Sequence, residues 1–500
     1  MDVEIEIGGI PYGIWWIRKI LPKDKKRRLL LLRVFTLFLT YVVYVSFHVA
    51  RRPITVVQLK ITHSCNLTAY SEAWIKHFPE NKASDWCQGT LFETSGKVIM
   101  GLIDVTFYGT YAFSMYFSGI IADCYNPRYF LTTGCILTGF FSMILGLADM
   151  WKIVSYYFLI MSLILMGASQ STGWPVVLSC ASFWYSGKKR GLFFGIWNTH
   201  NYLGSVLGLY LAEIFIDDQW GWSFQLPGII VTVMGLIVIF FLVTDPSDVN
   251  ILDAEKENSL NRRGEGDVDI PPWLHSKPSI KFYDALHLPG VLEYSACLFF
   301  SRMAAYVFIF WLPIVIVHSR AMNISRSSYF SMAYVIGGTF GGILAGVLKD
   351  ILRRSALICI SFFLLSILVI LFRILFSEVI SVILDMGLQL LLGLMVEAPY
   401  ILIITSVSAD IGTHKLIRRG HRALSTVGAI IEGTGAVGAT VSPLLIGLFL
   451  MRLKFIYVMY FTIVMELLAC LCLIRMAYKD IHEERRRMSL VDYWNAPAFT

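Results

Sequence analysis

Charged residues are scarce in this sequence of 500 residues. Asp, Glu, Lys and Arg together make up 15% of the chain, whereas hydrophobic residues make up 56%. Soluble proteins carry roughly 25% charged residues, because they have to cover a surface that faces water. The shortage of charge excludes an ordinary soluble protein and indicates a chain that lies mostly within a lipid bilayer.

The sequence also lacks the motifs of enzymes and metal sites. It has no phosphate-binding glycine loop, no zinc-ligand spacing and no nucleophile beside a general base. The histidines without a partner at metal-ligand spacing include His200, His318, His414 and His421. We therefore expect neither a metal nor another cofactor, and the sequence does not favour an enzyme.

The apolar residues are grouped in long runs rather than in periodic stripes. A helix needs about 20 mostly apolar residues to cross the hydrocarbon of a bilayer. Since the first run is too long for a signal peptide and follows acidic residues, we expect it to remain as a membrane helix. The runs predict an all-α fold of about twelve transmembrane helices, near residues 29–59, 96–120, 129–149, 153–183, 191–212, 223–243, 288–318, 328–348, 355–374, 379–405, 424–449 and 455–477.

Basic residues predict which side of the membrane each connection faces. If both termini are cytosolic, nearly every basic cluster lies on the cytosolic side, as the positive-inside rule requires. The net charge of +7 then follows from topology, and nucleic acid is not expected as a partner. The clusters occur at residues 18–28, 128, 188–190, 353–354, 418–419 and 485–487.

Nine cysteines are thinly spread, and all except Cys65 and Cys87 lie in or beside apolar runs, where we expect them to pack. These two lie in the polar segment 61–95, on the predicted lumenal or extracellular side, and form a candidate disulfide. Asn66 and Asn323 begin glycosylation sequons that are predicted to face the same side.

One long polar segment, residues 244–286, predicts a flexible cytosolic linker between two halves of about six helices each. We expect a cytosolic N-terminus at 1–28, an N-terminal half at 29–243, a C-terminal half at 287–477 and a cytosolic tail at 478–500.

Each half repeats one pattern after its second helix: a glycine, an aspartate four residues later, and arginines beyond it. The spacing favours a latch at the cytosolic surface, in which the aspartates cap neighbouring helices or pair with arginines. The alternative is two unrelated helix ends that obey the positive-inside rule. The residues of the pattern are Gly119, Asp123 and Arg128 in one half and Gly346, Asp350 and Arg353 in the other.

This repeated pattern resembles the loop signature of the major facilitator superfamily, and the resemblance extends over nearly the whole chain. It implies two pseudo-symmetric six-helix halves around a midplane site, and transport by alternating access.

Charge inside an apolar run is costly and usually functional, and three arginines are singled out here on that ground. Arg51 and Arg52 lie in the first run and Arg302 in the seventh, so they occupy related places in the two halves. Two guanidinium groups that face one cavity suit a dianionic ligand, because their planar forks match phosphate oxygens. We expect Arg52 to be structural. In the alternative for the other two, Arg51 pairs with Asp104 or Glu432, and Arg302 pairs with Glu293 or a lipid headgroup.

The most distinctive motifs run from the fourth helix into the fifth. In chain order they are Gly167–Pro175, Phe183-Trp184, Gly187–Gly191 and Trp197–Asn201. They resemble the organophosphate–phosphate antiporters of the superfamily. In the C-terminal half, Val407–Lys415, Ala423–Val427 and Glu432–Gly435 resemble the eukaryotic sugar-phosphate exchangers, above all the glucose-6-phosphate exchangers of the endoplasmic reticulum.

The resemblance implies a binding role for Arg51 and for His200, which can donate to a phosphate oxygen and change charge near neutral pH. A neutral core histidine is the alternative for His200. Arg302 lies about one turn earlier than the seventh-helix arginine of the bacterial members, and Met115 replaces their second-helix lysine. The other implied substrate residues are Tyr111, Trp197 and Asn201, with Tyr108 as an alternative to Tyr111 for stacking on a sugar.

The sequence therefore predicts an antiporter that exchanges a sugar phosphate, with glucose 6-phosphate expected, for inorganic phosphate. Two alternatives stay open: a transporter of the same fold for another phosphorylated or phosphonate anion, and a receptor or scaffold that does not transport. The chain is expected in the endoplasmic reticulum membrane on resemblance alone, since its last residues carry no retrieval signal.

Overall fold

The computed structural model describes residues 12–17, 22, 24–55, 57, 96–153, 155–185, 189–215, 219–244, 280–320, 324–376, 379–413, 423–450 and 456–495. The predictions for Cys65, Cys87, Asn66 and Asn323 lie outside these residues, as does most of the predicted linker. The described part of the chain is helical and contains no strand.

The helices are numbered here in chain order. They are α1 (Tyr12–Ile17), α2 (Lys25–Arg51), α3 (Gly96–Cys124), α4 (Pro127–Met150), α5 (Tyr156–Gln170), α6 (Gly173–Trp184), α7 (Arg190–Trp197), α8 (His200–Phe215), α9 (Trp222–Phe241), α10 (Phe282–Leu286), α11 (Val291–Arg320), α12 (Ile324–Leu352), α13 (Ser355–Leu375), α14 (Val382–Leu402), a π-helical turn (Ile403–Val407), α15 (Ser408–Gly412), α16 (Leu424–Leu450) and α17 (Ile456–Asn495).

Every apolar run of the sequence coincides with one or two of these helices, which confirms the predicted fold class. The run at 153–183 forms α5 and α6, and the run at 191–212 forms α7 and α8. The run at 379–405 forms α14 and ends within the π-helical turn, which leads directly into α15. Within the described residues, nine helical stretches are long and apolar enough to cross a membrane.

The chain divides into two compact units, and each contains a segment from the other half of the sequence. Unit 1 comprises Met1–Gly187, Trp197–Leu286 and Ala409–Gly433. Unit 2 comprises Lys188–Ile196, His287–Ser408 and Thr434–Thr500.

Polar residues fix where several helices begin. Asn126 accepts a hydrogen bond from the backbone N–H of Arg128 at 3.0 Å, and Pro127 occupies the first position of α4. A side-chain acceptor satisfies an N–H that has no partner within the helix, and proline has no N–H to lose there. Asp24, Ser155 and Ser381 cap α2, α5 and α14 in the same way.

Small residues allow helices of unit 1 to pack closely. A Cβ atom at Gly139 of α4 would collide with α9 at the Gly228 carbonyl oxygen and the Thr232 side chain. The Ser142 hydroxyl donates to the Phe224 carbonyl oxygen of α9 at 2.8 Å. Close backbones and interhelical hydrogen bonds are what stabilise helix pairs in lipid, where the hydrophobic effect does not drive association.

Helices of unit 2 are also held together by glycines at close contacts and by polar interactions between helices. Gly337 and Gly341 of α12 leave no room for a Cβ atom against the α14 backbone. Nearby, a buried ion pair joins Arg373 of α13 to Asp385 of α14, with 2.8 Å between Nε and Oδ1. These contacts hold α12, α13 and α14 together within the unit.

Candidate functional site

Arg51 is the last residue of α2, and its guanidinium lies over the Tyr111 ring of α3, 4.5 Å from the ring centroid. Its Nε–H donates to the side-chain oxygen of Gln170, the last residue of α5. Its Nη2 is buried without a hydrogen-bond partner among the described residues. The guanidinium is thus held along one edge, while another N–H group remains available to an acceptor.

His200 is buried, with 1% of its surface exposed, at the start of α8. Its ring stacks on the His48 ring at 5.5 Å between centroids and meets the Trp197 ring edge-on at 4.5 Å. Neither ring nitrogen has a hydrogen-bond partner within the described residues. The alternative for His200 was a neutral histidine in the core, and such a residue is expected to form a hydrogen bond with a neighbouring helix.

Tyr44 connects the His200 aromatic cluster to Arg51. Its ring centroid lies 4.8 Å from that of His200, and its phenol interacts electrostatically with Arg51 and Tyr111. Trp197 is buried and donates to the Thr40 hydroxyl at 3.3 Å. These aromatic residues therefore lie together with Arg51 within unit 1.

Asn201 follows His200 in the first turn of α8 and is half-buried. Its backbone carbonyl accepts a hydrogen bond from Ser205 at 2.7 Å. Ser205 in turn accepts a hydrogen bond from Arg52 at 3.0 Å. Arg52 therefore ties the end of α2 to α8, as expected for a structural arginine.

In unit 2, Arg302 is buried in α11, and its Nη2 donates to the Tyr400 hydroxyl of α14 at 3.1 Å. The guanidinium lies 4.7 Å from the centroid of the Tyr400 ring. Glu293, which was the alternative partner of Arg302, instead accepts from Arg475 at 2.7 Å. In each half of the sequence, then, an arginine on the first membrane helix meets a neutral polar side chain on the fourth.

Asp123 lies at the end of α3, and its carboxylate caps the start of α16. It accepts hydrogen bonds from the backbone N–H groups of Ser425 at 3.2 Å and Thr426 at 2.9 Å, and from the Thr426 hydroxyl at 2.6 Å. A Cβ atom at Gly119 would collide with Ala429 of the same helix. The glycine therefore allows the approach that the aspartate needs.

Asp350 makes the corresponding contact in unit 2. It lies at the end of α12 and accepts from the backbone N–H groups of Gly191 and Leu192, both at 2.8 Å. These are the second and third residues of α7, just as Ser425 and Thr426 are the second and third residues of α16. Each aspartate therefore caps a helix from the other half of the sequence.

The arginines of the repeated pattern are placed differently. Arg128 is buried in the first turn of α4, with its guanidinium 5.9 Å from the Tyr129 ring centroid. Arg353 is exposed in the turn after α12, with a φ of 56°. Within the described contacts, the aspartates act as helix caps.

Gln170 and Tyr400, which contact the two arginines, were not among the residues predicted from the sequence to bind substrate. A signal was present for Gln170, because it is a polar residue inside an apolar segment and within the distinctive stretch Gly167–Pro175. The partner of an arginine depends on how each helix is rotated, which local sequence does not reveal.

Helices long enough to cross a bilayer, together with arginines buried among them, define a multi-pass membrane protein with the features of a transporter. The chain belongs to the Major Facilitator Superfamily, whose family model matches residues 89–418. A crystal structure of the superfamily transporter FucP in the outward conformation aligns with a TM-score of 0.58 and 12% identity, over 89% of this chain and 99% of that chain. This likeness shows the fold.

Within the superfamily, the chain belongs to the family of the glucose-6-phosphate exchangers SLC37A1 and SLC37A2. It is 36% identical to SLC37A2 of Bos taurus, over 90% of this chain and 94% of the relative. It is 34% identical to SLC37A1 of Homo sapiens, over 90% and 93%. It is also 34% identical to the "Putative glycerol-3-phosphate transporter 1" of Arabidopsis thaliana, over 89% and 88%.

Proposed function

We propose that this protein is an antiporter that exchanges a sugar phosphate for inorganic phosphate by alternating access, with glucose 6-phosphate as the expected sugar phosphate. Relatives that cover nearly the whole chain are named as glucose-6-phosphate exchangers. The observation that carries the proposal is the guanidinium of the half-buried Arg51 at the end of α2, whose buried Nη2 has no hydrogen-bond partner in the described part of the chain.

The chemistry of this group suits a phosphate. Arginine keeps its proton, and its planar fork can donate two parallel hydrogen bonds to phosphate oxygens. Because the interaction with Gln170 is with a neutral amide, the positive charge is not cancelled by that contact. Arg302 supplies a second guanidinium in the other half of the sequence, and His200, Trp197, Tyr111 and Asn201 complete the proposed substrate residues.

Exchange needs neither ATP nor a metal, because the gradient of one anion drives the other. We assign the caps made by Asp123 and Asp350 to gating, with Arg128 and Arg353 as the arginines of the same pattern. Transport of this kind does not require catalytic residues, so an enzyme is not part of the proposal.

Uptake into proteoliposomes tests the proposal. Vesicles loaded with inorganic phosphate should take up labelled glucose 6-phosphate, whereas vesicles without internal phosphate should not. Free glucose should be a poor competitor because it lacks the phosphate. A scaffold that does not transport would give no uptake in either case, and uptake that does not depend on internal phosphate would contradict antiport.

Another phosphorylated anion is the second candidate substrate, because the Arabidopsis relative is named for glycerol 3-phosphate. Met115 is fully buried beside the Tyr111 turn of α3, at the position where the resemblance leads us to expect a lysine in bacterial members. Competition of labelled phosphate uptake by glycerol 3-phosphate, a phosphonate and glucose 6-phosphate ranks these candidates.

The remaining proposals concern location and topology. We place the protein in the endoplasmic reticulum membrane with both termini cytosolic, Asn66 and Asn323 glycosylated in the lumen, and Cys65 bonded to Cys87. These assignments rest on the resemblance and on the distribution of basic residues.

A further inference from the structure

Gln170 is a fully buried amide at the point where α5 ends. Its side-chain oxygen accepts the Nε–H of Arg51, and its side-chain nitrogen donates to the backbone carbonyl of Phe47 at 3.3 Å. Phe47 and Arg51 are four residues apart and therefore lie on one face of α2. The amide thus bridges the backbone of α2 and the guanidinium that this helix carries.

We propose that Gln170 is a positioning residue for anion binding: it holds the Nε edge of Arg51 so that the Nη groups face the phosphate, and it does so without cancelling the charge. This inference rests on the proposed function. Three observations support it, namely the bridge itself, the complete burial of the amide, and the unpartnered Nη2 of Arg51 among the described residues.

The side chain at position 170 has to be polar but uncharged if it is to orient Arg51 without competing with the phosphate. A glutamate of the same size at position 170 would form a charge-assisted pair with Arg51 and would compete directly with the phosphate. A shorter or apolar side chain would leave the guanidinium free to rotate away, so part of the binding free energy would be spent on ordering it. Glutamine avoids both costs because it is long enough, polar and uncharged.

In unit 2, Arg302 also has an uncharged hydrogen-bond partner, which is a tyrosine instead of a glutamine. Arg302 of the seventh predicted membrane helix donates to the hydroxyl of Tyr400 on the tenth, as Arg51 of the first donates to Gln170 on the fourth. Both partners are uncharged, so each arginine is oriented while its charge is retained. The pairing of a first-helix arginine with a neutral fourth-helix partner is therefore repeated in the two halves.

Two substitutions test the inference, and Gln225 offers a matched control. Gln225 is also a buried glutamine of a unit 1 helix, but it donates to the Met150 sulfur at 3.0 Å, and among the described residues it has no hydrogen bond to Arg51 or Arg302. Gln170→Met keeps the size of the side chain and loses both hydrogen bonds. We expect it to raise the phosphate concentration for half-maximal exchange on the order of tenfold, with little change in maximal rate, whereas Gln225→Met leaves both unchanged.

Gln170→Glu should abolish phosphate exchange while the purified protein remains folded, because the pair with Arg51 preserves packing. Thermal stabilisation by inorganic phosphate gives a second readout that does not depend on transport, and both Gln170 variants should lose most of it. If Gln170→Met does not fold, Gln170→Glu alone tests the inference. Normal phosphate exchange by a folded Gln170→Glu protein would overturn it.

A double substitution separates positioning from packing. Lysine lacks an Nε–H of this geometry, so in an Arg51→Lys background the further change Gln170→Met should cost almost nothing. An equal loss in both backgrounds would mean that Gln170 is only structural. The proposed function fails if the unsubstituted protein neither exchanges phosphate nor is stabilised by it. The positioning role alone is overturned if Gln170→Met exchanges phosphate normally while Arg51→Ala is inactive.

Discussion

At the scale of single residues, the guanidinium of Arg51 combines a permanent charge with a fixed direction. Lysine keeps the charge but loses the bidentate fork, so Arg51→Lys should be impaired and Arg51→Ala nearly inactive. Each charge-assisted hydrogen bond contributes roughly 1.5–3 kcal/mol. Phosphate–phosphate exchange in proteoliposomes should therefore show affinity lowered by about tenfold to several hundredfold, for phosphate and sugar phosphate alike.

Arg475 provides the control for removing an arginine. Its side chain is 84% exposed and pairs with Glu293 on the surface of unit 2. Surface ion pairs contribute little, so Arg475→Ala should leave exchange unchanged. Near-normal exchange by a folded Arg51→Ala protein would instead make Arg51 structural and would place the substrate site elsewhere.

At the scale of helices, the first turns of α7 and α16 expose N–H groups that have no partner within the helix. Asp350 and Asp123 satisfy these groups and also place negative charge at the positive end of a helix. Asn at either position keeps an acceptor but removes the charge. We expect Asp123→Asn and Asp350→Asn to slow exchange and to change substrate affinity less, with a bias between conformations of about 1–3 kcal/mol per contact.

A third aspartate provides the control for Asp123→Asn and Asp350→Asn. Asp149 of α4 accepts from the backbone N–H of Gly221 at 2.8 Å, so it caps the start of α9 within the same half of the sequence. Asp149→Asn should lower the unfolding temperature without slowing exchange. If all three substitutions slowed exchange equally, the slower exchange would be explained by lower protein stability. Unchanged rates in Asp123→Asn and Asp350→Asn would leave these aspartates as markers of topology.

The helices themselves were predictable because the thickness of a bilayer sets the length of an apolar run. The breaks at 171–172 and 198–199 were not, since the apolar runs continue across them. The repeated pattern identified Asp123 and Asp350 as interacting residues. Their partners were beyond prediction, because Ser425 lies 302 positions from Asp123 and Gly191 lies 159 positions from Asp350.

The residues proposed to bind substrate also differ in how far the sequence revealed them. Arg51 and Arg302 stood out because charge inside an apolar run is costly. Gln170 gave only the weaker signal of an uncharged amide inside an apolar segment, and the partner of Gln170 or Tyr400 depends on the rotation of two helices. His48 likewise gains its meaning only from the ring of His200 that stacks on it.

At the scale of the whole molecule, the predicted orientation depends on the excess of basic residues at one end of the helices. Lys26, Arg27 and Arg28 lie in the first turn of α2, and Arg128 and Arg353 follow the helices that carry Asp123 and Asp350. The positive-inside rule places these ends in the cytosol. Both proposed glycosylation sites then face the lumen, because an odd number of membrane crossings precedes each of them in the predicted topology.

Glycosidase treatment tests this orientation. It should increase the mobility of the protein on a denaturing gel, and Asn66→Gln and Asn323→Gln should each remove part of the shift, because only lumenal sequons are modified. An epitope inserted at residues 255–265 should be accessible to protease in sealed microsomes with the cytosolic face outward. A protected epitope in intact vesicles, together with unmodified Asn66, would invert the topology. It would also move the caps made by Asp123 and Asp350 to the lumenal side, so they could not gate from the cytosol.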